Sequence, residues 1–476
     1  MLNYAFRYPA YWQYFEAISA IPRASLCEAG IADYLCRFAK DRGIFCVRDK
    51  DNNVMFRLPA TVGYESVAPI LLQGHSDMVC EKEAGVRHDF SQDGLSLYIE
   101  DGFLHARGTT LGADNGVSVA FMLFLADSEL PHPTVECLIT ASEEIGLIGA
   151  SAFDYRHVTA RRMVNLDSAE EDSVIVGCAG GVRSDVTLGV TLLPCTGTAL
   201  TVRIGGLMGG HSGEDIDKGR ANANVLLGRI LHAIAEQQPF RLCELFGGSK
   251  DNAIPREAYA TLLVHDTTAA RETAARVEKE IGGELTAEDR AFFVTLSEQS
   301  APAMAMTEQD SRRVLSLLDG IENGVLAWSE AIRGLVAYSR NLGVLETQEN
   351  AVILTVSSRS AEEAQLDMAQ AYIEELAAAQ GATVSHRGRY PGWDYIGKTP
   401  LLTAYIEAYE RVNGATPRLV ALHAGLECGI IRRALPDMDM ISVGPDVFDL
   451  HSPRERLSID SAERMIDVWL TLLSQT

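Results

Sequence analysis

Several common features are missing from this sequence of 476 residues, and each gap closes off a class of function. Its nine cysteines, at 27, 36, 46, 80, 137, 178, 195, 243 and 428, include no CxxC pair, so neither a disulfide framework nor a thiolate zinc site is indicated. No segment approaches the roughly 18 uninterrupted apolar residues of a membrane span. The opening stretch MLNYAFRYPAYWQYFEAIS lacks the basic start and apolar core of a secretory leader. A nucleophilic hydrolase fits poorly, because there is no GxSxG elbow and no cysteine with a convincing partner. Basic side chains are also scarce: 41 Lys and Arg face 65 Asp and Glu, and the net charge of -24 would repel nucleic acid and anionic membranes. These absences predict a soluble protein of the reducing cytoplasm with no nucleic-acid or membrane partner. The length suggests about two or three domains.

What is present is a recurring pattern of short apolar runs that stop at polar groups. SVAPILLQ precedes His75, VECLIT precedes ASEEIG, RRMVNL precedes DSAEED, and DMISV precedes GPDVFDLHSP. Helical patterns such as NGVSVAFMLFLADSEL lie between some of them, which predicts an α/β sheet with polar groups just beyond strand ends. Open α/β sheets bind ligands at that edge. From about 186 to 390 the pattern changes. Strand TALTVRIGG, helix RANANVLLGRILHAIAEQQ, charged helix TAARETAARVEKEIGGEL, strand NAVILTVSS and helix EEAQLDMAQAYIEELAAAQG predict an α+β domain inserted into the first. Both strands lead to a helix, a hint of duplication. The expected organisation is a catalytic domain over 1–185 and 391–476 with an insertion over 186–390.

His75 and Asp77, two apart in GHSD, point the same way from an extended chain. Zinc-like ions take nitrogen from neutral His and oxygen from Asp or Glu, and two ions can share a bridging carboxylate and water. The strand-end residues His75, Asp114, Glu143, Glu144, Asp167 and His451 supply that inventory, with Asp77 left to orient His75. Singly, each has a plainer explanation: EE as a solvated pair, ADNG as a turn, NLDS as a helix cap, His451 as a loop residue.

The segments GHSDMV, ARGTTLGADNG, SEEIGLIGA, VNLDSAEED and DLHSP resemble, in order and approximate spacing, those of the cocatalytic zinc exopeptidases that include carboxypeptidase G and aminoacylase. GTTLGADNG, GCAGG, GGHSG, SKDNAIPREA and HAGLECG are more specifically similar to those of the aminoacylhistidine (Xaa-His, bacterial carnosinase-type) dipeptidases, and the likeness runs from about residue 15 to the C-terminal helix. The resemblance implies a mixed sheet flanked by helices with an inserted α+β lid, and two divalent metal ions per subunit, zinc first, with cobalt or manganese as alternatives. It implies that His75 and Asp167 bind one metal and Glu144 and His451 the other, with Asp114 bridging. Glu143 would be the general base, and Asp77 would fix the His75 ring. Ser76 stands where a larger aliphatic residue is expected.

A dipeptidase must also grip a free carboxylate, which calls for Arg, His or amide donors. The resemblance implies His211 of GGHSG near the substrate carbonyl, Asn252 of NAIP beside it, Arg359 of LTVSSRS on the carboxylate, and Gly425 of HAGLECG as substrate-lining backbone, with Glu427 replacing an acidic residue of that loop. It further implies a homodimer in which the lid histidine comes from the partner subunit. His88, His105, His132 and His423 are expected to be structural. The expected function is metal-dependent hydrolysis of small peptide substrates, dipeptides and Xaa-His pairs above all. Tripeptide cleavage or N-acyl amino acid deacylation on the same scaffold is the nearest alternative, and an inactive binding or regulatory homologue is the alternative of another class.

Overall fold

The computed structural model describes residues 2, 4–300, 302–330, 332 and 334–475. The chain divides into two units, the first comprising residues up to Cys178, Trp393–Ala421 and the chain from Leu426 on, the second Ala179–Gly392 with Leu422–Gly425. A boundary at 185/186 would cut the strand Gly180–Gly189, which the second unit takes whole. Among the described residues no helix is long and apolar enough to cross a membrane.

The first unit is built on an eight-stranded sheet ordered 45–48, 54–58, 135–140, 70–75, 162–165, 439–442, 173–178 and 418–422. Its four middle strands are parallel: Ile70–His75 pairs with Val135–Thr140 on one side and Arg162–Asn165 on the other, and Arg162–Asn165 pairs in turn with Asp439–Ser442. Parallel strands are covered on both faces and therefore read as near-continuous apolar runs. Every residue of ILLQGH and VECLIT is buried accordingly. The helix Ala113–Ala126 is apolar almost all round, as a helix inside a core must be, and Phe121 meets Trp469 of the C-terminal helix at 4.7 Å between ring centres.

Gly74 is where that helix and the sheet come closest. A Cβ there would lie 2.6 Å from Ser118 Cβ, so only glycine lets the start of the helix rest on the strand. A small four-stranded sheet, Val447–Phe448, Arg456–Ser458, Phe103–Ala106 and Leu97–Glu100 in order, fixes the loop that carries His451.

The second unit carries a nine-stranded antiparallel sheet whose order runs 293–300, 198–205, 258–264, 240–247, 336–348, 351–360, 180–189, 383–390, with Gly324–Trp328 also paired to 336–348. The order is two copies of one design. In chain order, strand 198–205, helix 223–237, strands 240–247 and 258–264, helix 267–284 and strand 293–300 form one half. Strand 180–189, helix 308–320, strands 336–348 and 351–360, helix 363–379 and strand 383–390 form the other. The halves join where Phe246 and Gly247 pair with Glu346 and Leu345. TALTVRIGG and NAVILTVSS are thus not each other's counterparts: Thr198–Gly205 corresponds to Gly180–Gly189, and Ala351–Ser360 to Ala258–Val264.

Candidate metal centre

Adjacent parallel strands deliver their following loops to one edge of the sheet. His75 ends its strand, Glu143 and Glu144 follow the strand on one side, and Asp167 follows the strand on the other. Asp114 stands at the start of the helix 113–126 that crosses Gly74, and its peptide bond to Asn115 is cis. His451 lies in the loop between strands 447–448 and 456–458.

These side chains converge. His75 Nε2 lies 2.9 Å from Asp114 Oδ1, 3.5 Å from Asp167 Oδ1 and 4.0 Å from Glu143 Oε2. His451 Nε2 lies 3.3 Å from both Asp114 Oδ2 and Glu144 Oε2. Asp114 therefore turns one oxygen to each histidine. His75, Asp114 and Glu144 offer ligand atoms all within 4.8 Å of one another. Two ligand atoms of a tetrahedral zinc, each about 2.0–2.1 Å from the ion, lie about 3.3 Å apart. That matches three of these spacings better than ordinary hydrogen bonds do.

Asp77 serves the site differently from the simple picture of a ring-orienting carboxylate. His75 Nδ1 is 3.1 Å from the Asp77 carbonyl oxygen and 3.4 Å from Oδ1. The carboxylate accepts from the Glu143 and Glu144 amides at 3.0 and 3.3 Å and from Ser25 Oγ at 2.7 Å. It thus aims the Glu143–Glu144 turn as well as the ring.

Charge crowding shapes the titration. Burial pushes the Glu143 carboxyl well above its usual range; Asp167, Glu427 and Glu144 add to the shift and His75 opposes it. Asp167 is raised for the same first reason, with Asp114 and Glu144 adding to it against His75. Burial works against ionisation of Asp114 too, but His451 and His75 hold it far below the ordinary carboxylate range. Donating to the Asp114 and Glu144 carboxylates raises His451 to about 11. Burial would lower His75, yet Asp167, Asp114 and Asp77 raise it well above its usual value. Glu144 Oε1 is buried with no partner. Protons held on imidazoles and an orphaned carboxylate oxygen mark a place that cations would satisfy, and this nitrogen and oxygen donor set suits zinc, cobalt or manganese.

Three supports escaped the sequence reading. Buried Arg23 donates from Nη1 to the carbonyls of Ser76 (3.0 Å) and Asp77 (3.2 Å) and from Nη2 to that of Gly112 (2.5 Å). Glu455 accepts from the amides of Leu111, Gly112 and Ala113 at 2.8, 3.0 and 2.8 Å, capping the entry to Asp114. Glu28 accepts from Ser142 N at 2.8 Å and Oγ at 2.6 Å and so holds a left-handed residue (φ 53°) just ahead of Glu143. Asn115 adds a bridge, accepting from His75 N at 3.2 Å and donating to Leu166 O at 2.6 Å.

The second unit gathers the expected substrate residues among themselves. His211 pairs with Ala253 in a two-residue ladder, and Ser212 N donates to Asn252 O at 2.9 Å. His211 Nδ1 accepts from Glu214 N at 3.2 Å, leaving Nε2 as the donor; burial and then the Arg359 charge lower its pKa. Arg359 is buried on its strand, donates from Nη1 to Tyr390 Oη at 2.7 Å, and keeps an unpartnered Nε. Gly425 lies against the Tyr390 ring, where a Cβ would come within 2.7 Å of Cε2. His423 bonds Ser339 Oγ at 2.7 Å, and burial with the Arg359 charge lowers it to about 3, a neutral ring. His105 stacks on Tyr98, His132 faces the Pro133 carbonyl and His88 packs on Phe90.

Comparison with known proteins agrees along nearly the whole chain. The model of peptidase family M20/M25/M40 matches residues 71–475. A cytosol non-specific dipeptidase of Escherichia coli is 36% identical over 455 residues, 94% of each chain. The crystal structure of aminoacylhistidine dipeptidase from Vibrio alginolyticus superposes with a TM-score of 0.92 at 34% identity, covering 99% of this chain and 97% of that one. Aminopeptidase PepT from Bacillus cereus shares the fold at a TM-score of 0.58 and 17% identity, covering 99% of each.

Proposed function

Since the chain belongs to peptidase family M20/M25/M40, we propose that it is a metal-dependent dipeptidase that cleaves unblocked dipeptides, Xaa-His pairs such as carnosine among them. What supports the reading most is Asp114, whose two oxygens face two different histidines, each with a further carboxylate beside it. His75, Asp114 and Asp167 would hold one ion, and Asp114, Glu144 and His451 the other, zinc being the first choice. Two bound divalent ions supply positive charge to polarise the peptide carbonyl and acidity to bring a water molecule toward ionisation near neutral pH.

The protein's own groups do the rest. Glu143, not needed as a ligand, takes the attacking water's proton on its carboxylate and passes it to the leaving amine. Asp77 aims the Glu143–Glu144 turn through its bonds to both amides. His211, neutral with Nε2–H as donor, offers a hydrogen bond to the oxyanion that develops on the carbonyl oxygen. Arg359 pairs with the free substrate carboxylate, with Asn252 and the Gly425 backbone as further contacts.

The substrate test is a panel of carnosine, Gly-His, another dipeptide, a tripeptide and an N-acetyl amino acid, run with metal content measured before and after chelation. Hydrolysis of the dipeptides that stops on chelation and returns with metal is expected. Metal-loaded protein that cleaves only the tripeptide, only the acyl amino acid, or nothing would overturn the assignment.

The reading carries with it a cytoplasmic location, as for the Escherichia coli relative, and a homodimer with His211 acting in trans. Action within one chain is the alternative, since the second unit already carries two copies of one strand-and-helix set. Mixing His211→Ala with Glu143→Ala separates the two: recovered activity supports exchange between subunits, and none supports action within one chain.

A further inference from the structure

The roles above leave out a buried carboxylate lying beneath the ligands. Glu427, first residue of the helix Glu427–Ala434, is fully buried. Its Oε2 accepts from Gln73 Nε2 at 2.5 Å and from Thr140 Oγ1 at 2.7 Å. Gln73 stands two residues before His75, and its own Oε1 accepts from Asn165 Nδ2 at 2.6 Å, two residues before Asp167. Thr140 is the last residue of the strand that runs into the Glu143–Glu144 turn. One oxygen, with the amide beside it, thereby ties the ends of the three adjacent parallel strands that carry these residues.

The other oxygen, Oε1, is buried with no partner, and so is Asn165 Oδ1. A bare ionised carboxylate is costly in such a place. Burial first, with Asp167 adding and His75, Thr140 and Gln73 opposing, pushes the group up to about 7.

We propose that Glu427 is a positioning residue of the metal centre, whose reach, rather than its charge, sets the register of His75, Asp167 and the Glu143–Glu144 turn. Its hydrogen bonds go to Gln73 and Thr140, not to the residues that would hold the ions. The proposal rests on the metal reading above, and its test must fail separately from that reading.

The test titrates metal-free protein with cobalt(II), following heat and the visible absorption of the bound ion, for the unsubstituted chain and for Glu427→Gln, Glu427→Asp and Glu427→Leu. Glu427→Gln keeps the length and carries no charge, and is expected to bind within about threefold of the unsubstituted chain with the same spectrum, whereas Glu427→Asp and Glu427→Leu bind about 10–100-fold more weakly with a shifted band. Unchanged affinity and spectrum in the Asp and Leu variants would overturn the role, as would a Gln variant as weak as Leu, which would assign the effect to charge. If Glu427→Leu fails to fold, Thr140→Val cuts one arm of the brace; it is expected to weaken binding, and normal binding by both it and Glu427→Asp overturns the proposal. An unsubstituted chain that takes up no cobalt overturns the metal reading itself.

Discussion

Asp114 can serve two partners only if its backbone is held still, and Glu455 is what holds it, with three amides on one carboxylate. Glu455→Ala strands those donors in a buried loop, an expected loss of about 1–3 kcal/mol. Chemical denaturation reads that loss, and metal affinity should fall with it; a variant as stable as its parent would show that water replaces the cap without cost. Glu143 makes the opposite prediction, because its backbone, not its side chain, makes the bonds that hold the turn. Glu143→Gln should keep both ions by elemental analysis while kcat drops by about 10²–10⁴-fold. Normal kcat would remove Glu143 from the role of base. His75, Glu143, Glu144, Asp167 and His451 were legible because each follows an apolar run, and Asp114, at the start of a helix, because its GTTLGADNG segment resembles a known one. Arg23, Glu28 and Glu455 were not, since each acts on backbone 53, 114 or more than 340 residues away and leaves no local pattern.

At the scale of elements, the close crossing of strand 70–75 by helix 113–126 does most to bring His75 to Asp114. Gly74→Ala puts a Cβ 2.6 Å from Ser118 Cβ, so helix and strand must separate. The expected cost is about 1–3 kcal/mol, seen as a lower denaturation midpoint together with weaker metal binding. Gly189→Ala, whose Cβ would meet nothing within 4 Å, is the control expected to leave both unchanged. The central strands were readable because burial on both faces leaves an uninterrupted apolar signature. The repeat in the second unit was misread because sheet order is a long-range property. Its true counterparts, Thr198–Gly205 with Gly180–Gly189, share a place in the sheet and not a telling sequence, and the strand Gly180–Gly189 begins within the region the sequence assigned to the first domain.

Over the whole molecule, a net charge of -24 already disfavours compaction, and four carboxylates converging on two histidines concentrate that repulsion at one place. Without metal, protons on the imidazoles relieve it. His451 is raised from 6.5 to about 11, so its ion pairs contribute stability that is complete below about pH 6.5 and is lost as pH climbs through about 11; His75 shifts in the same direction. Bound metal requires both rings neutral, so uptake near neutral pH should release about two protons and strengthen by roughly a hundredfold for each unit of rising pH. A ligand that binds only the folded chain adds about 4 kcal/mol when free at roughly 1,000 times its Kd. Rising pH therefore weakens the metal-free fold while it tightens metal binding, and the gap between the melting temperatures with zinc and with chelator should widen from about pH 6 to about pH 9. Calorimetry in buffers of different ionisation enthalpy counts the protons independently. A constant gap, with no proton release, would mean that the histidines are not the groups the ions displace protons from.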